Sequence, residues 1–151
     1  MPLGNVYYHF RTKEALLEAV IAAHVERLQT RFTQWDREIA DPRERLIALL
    51  QWEREAKSSL ARYGCPYGSL AQEINKDDTQ LVSQAARMLQ TYLDWTEKQF
   101  RQQGKDEQEA KDLAIDLITW LQGALLLSAS SRSPQLLDRK LLRMEQWVRS
   151  L

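Results

Sequence analysis

The 151-residue sequence holds two histidines, His9 and His24, and one cysteine, Cys65. A zinc site needs such ligands in close pairs, and a carboxylate-bridged site in a helical bundle needs Glu-x-x-His. None of these spacings occurs, and there is no glycine-rich phosphate loop or Gly-x-Ser-x-Gly elbow. The residue types therefore argue against an enzyme, a metal site or a cofactor. Cys65 falls at a helix start with Arg62 close by, features that lower a thiol pKa and would suit oxidant or electrophile sensing. The competing and favoured reading is a small buried hydrophobe in a tight turn. His24, on an apolar stripe, reads as a core histidine. Trp35, Trp52, Tyr63, Met88, Tyr92, Trp95 and Trp120 come from different segments. Such aromatics and methionines either line an apolar pocket between helices or fill a solid core. Glu53 and Gln72 are the polar candidates to orient a ligand, with a solvated side chain the favoured reading of each.

The elements that must position these residues are helical, because apolar residues recur at three- and four-residue steps and strand alternation is absent. Thr12 is placed to cap a first long helix over 13–39, striped by Leu17, Ile21, His24, Leu28, Phe32 and Trp35. Asp41-Pro42-Arg43-Glu44 reads as a cap, a first-turn proline and a capping-box partner, opening a helix that runs to Tyr63-Gly64. A short helix over 69–74 follows. Asp77 caps the next long one, which carries two apolar sectors and ends at Gly104. Asp106 opens a helix over 107–128, and Pro134 another to 148. Twenty-one basic and twenty-one acidic residues balance, whereas a free-standing nucleic-acid binder carries a basic excess. Apolar runs such as 124–127, and the longest at five residues (19–23 and 46–50), are too short to span a bilayer, and no leader peptide is visible, so no membrane association and a cytoplasmic location are expected. A lone cysteine fits that reducing compartment.

Residues 2–17 carry the most specific pattern. Gly4, Tyr7, Phe10, Lys13, Glu14 and Leu16 fall on a Gly-x-x-Tyr-x-x-Phe-x-x-Lys-Glu-x-Leu spacing without a gap. This run resembles the end of the DNA-binding domain in the TetR (tetracycline-repressor-type) family of transcriptional regulators. Gly64-Cys65-Pro66-x-Gly68-x-Leu70-x-x-Glu73 resembles a turn found in one of its subgroups. The resemblance implies an all-α, TetR-like regulatory helical bundle. Residues 1–15 would be a remnant of the helix-turn-helix reader, and 16–151 a ligand-binding and dimerisation domain. Asn5, Tyr7, Tyr8, His9 and Lys13 match the DNA-facing positions, with Tyr7 and Lys13 assigned to phosphates. A small-molecule effector would sit among Trp52, Tyr63, Cys65, Met88, Tyr92, Trp95 and Trp120. A homodimer would form through the last two long helices, by Leu113, Leu117, Leu121, Ala124, Leu137, Leu141, Met144 and Val148. Operator DNA would be a partner of the full-length protein, but not held tightly by a chain lacking the first reader helices. The implied activity is a ligand-responsive regulator, a repressor that releases DNA when effector binding tilts the first helix. A plain helical dimerisation module and a small helical enzyme are the alternatives.

Overall fold

Four helices begin where a short polar side chain can accept a free N–H of the first turn. Thr12 accepts from Ala15 at 3.1 Å, Asp41 from Arg43 at 2.8 Å, Asp106 from Glu109 at 2.9 Å and Ser133 from Leu136 at 3.2 Å. The computed structural model describes residues 12–69 and 79–151. Among them no strand occurs, and the helices are α1 (Lys13–Glu38), α2 (Pro42–Glu55), α3 (Lys57–Tyr63), α4 (Thr79–Gln102), α5 (Glu107–Ser131) and α6 (Pro134–Ser150). One further helical turn covers 66–69. Of the short helix expected over 69–74 only Ser69 is described; the rest of it, with Gln72, and the expected cap Asp77 lie outside the described residues.

Two details differ from the sequence reading. The helix expected to run unbroken to Tyr63 is interrupted at Ala56 (φ −84°, ψ 3°). Arg54 and Lys57, on either side of the break, both pair with Asp138 of α6. Glu44 does not complete a capping box; its carboxylate accepts from Arg149 at 2.7 Å and ties α2 to α6. Gly64 and Gly104 take φ of +79° and +90°, the left-handed geometry that ends α3 and α4.

α5 is the central helix, packed against α3, α4 and α6, while α1 lies along α4 and α2 bridges α4 and α6. By length and composition α5 could cross a bilayer, which the count of consecutive apolar residues misses. Its inner face, Ala110, Ala114, Leu117, Leu121 and Leu125, is instead buried in the bundle.

The core has two centres. Between α1 and α4, Phe32 stacks on Trp95 at 4.3 Å and meets Tyr92 edge-on at 5.5 Å, with Trp35 wedged against Trp52 and Trp95. Between α5 and α6, Leu117, Leu121 and Ala124 close on Leu137, Leu141, Met144 and Val148. These are seven of the eight positions that the sequence assigns to a dimer interface, and all seven are buried within one chain; Leu113 packs half-buried against the same core. α6 folds back on α5 and buries both stripes inside the chain, so that only the outward faces of the two helices remain exposed.

A polar clasp closes the far end of α1. Arg45 donates to Gln99 at 3.1 Å, Gln102 at 2.8 Å and the Ile39 carbonyl at 2.7 Å. Asp36 accepts from Trp95 at 3.1 Å, Lys98 at 2.7 Å and Gln99 at 3.2 Å. Arg45 and Gln99 are buried, and their satisfied bonds offset the desolvation that burial costs.

Candidate functional site

The second apolar sector of α4 is divided: Phe100 is buried in the core, while Leu89 and Leu93 pack half-buried at its edge. Leu89 and Leu93 face α5 across a groove of ≈ 610 Å³, with Ile115, Ile118 and Leu126 on the opposite wall. The turn from Tyr63 to Ser69 closes one end, and Thr119, Gln122 and Cys65 supply the polar atoms. A Cβ on Gly68 would meet Gln122 Oε1 at 2.9 Å, so glycine leaves the amide its place there. An apolar concavity with a few convergent polar groups is the usual form of a small-molecule site.

Beneath this groove lies a buried titratable cluster. Cys65 Sγ accepts from the Gly68 N–H at 3.5 Å, and burial pushes its thiol above the ordinary range, helped by nearby Glu53. That direction opposes the thiolate that a sensor cysteine needs. Glu53, expected to be solvated, is buried and accepts from the Tyr92 hydroxyl at 2.9 Å. Burial raises its carboxyl to about 7, against the lowering effect of the Tyr92 bond. Tyr67 links the groups, meeting Tyr92 at 5.6 Å and His24 at 5.2 Å. His24 itself is held below its ordinary value by desolvation and by Arg27.

A second groove, ≈ 700 Å³, runs between α5 and α6, lined by Trp120, Leu127, Leu136, Arg139, Lys140 and Arg143 among others. Lys140 Nζ lies 5.2 Å from the Trp120 ring centre, within reach of its negative face. Among the described residues no group of acidic, histidine or cysteine side chains could hold a metal.

Residues 42–140 match the family described as "Transcriptional regulator LmrA/YxaF-like, C-terminal domain", a TetR C-terminal domain. The chain belongs to the TetR family. Its fold is similar to that of a TetR transcriptional regulator from Legionella pneumophila, at a TM-score of 0.79 over 97% of this chain and 79% of that one, with 21% identity. No curated protein matches the sequence. Family and fold together point to a transcriptional regulator rather than an enzyme.

In this TetR-family chain the expected effector residues part company. Tyr63, 71% exposed, and Cys65 line the α4–α5 groove. Met88, Tyr92 and Trp95 are buried in the aromatic core, and Trp52 packs half-buried on Trp35; none of the four lines either groove. Trp120 lines the other groove. Large aromatics satisfy their packing best against one another, which draws them inward. The residues that sequence reasoning missed, Ile115, Ile118, Thr119 and Gln122, stand off the main stripe of α5; the signal for their wall was the second sector of α4. Of the DNA-facing positions, Asn5, Tyr7, Tyr8 and His9 lie outside the described residues, and Lys13 is the first residue of α1.

Proposed function

We propose that the chain is the effector-receiving and dimerising part of a ligand-responsive transcriptional regulator, a repressor that releases its operator when a small molecule occupies the α4–α5 groove. The observation that carries this reading is the groove itself: open, walled by Leu89, Leu93, Ile115 and Ile118, with Gln122 as an orienting amide. Residues 16–151 form the receptor, and residues 1–15 the end of the DNA-reading head, with Asn5, Tyr7, Tyr8, His9 and Lys13 toward DNA. Two copies pair through the outward faces of α5 and α6. An occupant that wedges α4 from α5 moves the surface on which α1 rests, and α1 leads directly into the head. A coupling of about 1–3 kcal/mol is enough to change operator affinity roughly 5- to 150-fold.

Thermal-shift screening with apolar and aromatic compounds tests the reading. A ligand at a hundred times its Kd stabilises by about 2.7 kcal/mol, and Leu93→Trp or Ile118→Trp, which fill the groove, should abolish that shift. Hits that stabilise these variants as well as the parent would place the ligand elsewhere and sink the assignment. The closed aromatic core of Phe32, Trp35, Tyr92 and Trp95 favours the second reading, a dimerisation module without ligand; silence across the whole panel would support it.

A further inference from the structure

We infer that the turn from Tyr63 to Ser69 is a proton-operated latch: it stays shut against α1 and α4 while Glu53 holds its proton, and opens when that proton leaves. The latch is a property of the chain itself and stands whether or not the groove receives an effector.

Its basis is a cluster that joins four elements. Glu53 reaches from α2 into the bundle and is 7% exposed. Among the described residues its hydrogen-bond donor is the Tyr92 hydroxyl of α4, at 2.9 Å. Tyr92 packs edge-on against Tyr67 of the turn, and Tyr67 packs edge-on against His24 of α1. Cys65 and Tyr67 both lie close enough for the Glu53 charge to raise their own titration. Both are buried, as is Tyr92, so the turn is part of what keeps water from the carboxyl.

No counter-charge waits there for a carboxylate. Arg54, the next residue of α2, pairs with Asp138 of α6. Arg27 of α1 acts on His24 and Tyr67 instead. His24 itself is held below its ordinary range by desolvation and by Arg27, so it is neutral where Glu53 titrates. An ion buried with one donor and no cation is disfavoured, and Glu53 keeps its proton up to about pH 7. Above that, the ion gains by reaching water. The turn is the cover most free to move. It is a single helical turn, entered through Gly64 at φ +79°, and the groove leaves open space on its outer side. Its departure lifts Tyr67 from His24, so the protonation of Glu53 is felt by α1.

Hydrogen–deuterium exchange on the whole chain, corrected for the intrinsic pH dependence of each amide, reads the latch. The Gly64 and Ser69 amides donate to the Leu60 and Cys65 carbonyls and are freed when the turn opens. Glu53 titrates near 7 when shut and at its ordinary 4.5 when hydrated. The opening constant of these amides should therefore rise about thirtyfold from pH 5.5 to 8, most of it below pH 7.5. Glu53→Gln should hold it constant. Tyr92→Phe, which removes the donor that favours the ion, should carry the rise on to higher pH. Amides of Leu117 and Leu121 in α5 should stay more protected throughout. Turn amides that ignore pH in the parent overturn the inference, and so does a Glu53→Gln profile parallel to the parent's. Turn amides that exchange no faster than those of α5 also overturn it, because Glu53 then meets water only on global unfolding.

Discussion

Glu53 contributes a pH response that lies near neutrality. A free carboxyl titrates near 4.5 and this one near 7 in the folded state. Between those values the native protein holds a proton that the unfolded chain has lost, so stability falls as pH rises through the window and levels off above it. The full span corresponds to roughly 3 kcal/mol. Glu53→Gln keeps an acceptor for the Tyr92 hydroxyl and carries no charge. It should flatten the dependence of urea-denaturation stability between pH 5 and 7 and leave the variant more stable than the parent at pH 8. A parallel pair of curves would show that the carboxyl is solvated after all. None of this was legible in the sequence. Glu53 reads there as a polar candidate beside the aromatics, and only the fold brings Tyr92, 39 residues away, into hydrogen-bond range.

At the scale of the helix, starts were legible and interactions across helices were not. Asp41 and Asp106 announce α2 and α5 because capping is chemistry within three residues, and the structure has both bonds. Replacing either with alanine should cost about 1 kcal/mol in chemical denaturation. The interruption at Ala56 escaped because a one-residue break leaves the apolar stripe in phase on both sides. The two apolar sectors of α4 were legible; one is a core face, and the other gives Phe100 to the core and Leu89 and Leu93 to the groove. Which stripe of α5 meets α6 was not, since inward and outward leucines look alike until the hairpin closes. The clasp around Arg45 is likewise a product of assembly, drawing on α1, α2 and α4. Arg45→Ala removes a donor from Gln99 and Gln102 and an ion partner from half-buried Asp36, which keeps Trp95, Lys98 and Gln99. It should destabilise by about 1–3 kcal/mol. A loss under about 0.5 kcal/mol would mean that water satisfies the site equally well.

Among the described residues the exposed large aliphatic side chains, Ile115, Leu126, Leu127, Leu136 and Leu142, all belong to α5 and α6, and apolar patches on a protein surface mark association. If two copies cover this one, thermal stability becomes a function of concentration, because association stabilises only the folded state. The midpoint should climb as the protein is taken from low to high micromolar concentration, and Leu127→Glu should remove the climb. A midpoint indifferent to dilution would mean that the patch stays bare.

The clasp and the length of α1 have one more consequence. Twenty-six residues at about 1.5 Å each make a rod of roughly 39 Å, gripped at its Asp36 end by α2 and α4. Such a rod is a lever arm with its fulcrum beside Arg45. One degree of rotation there sweeps the opposite tip through about 0.7 Å, on that length, so motions too small to disturb the aromatic packing are magnified at the Lys13 end.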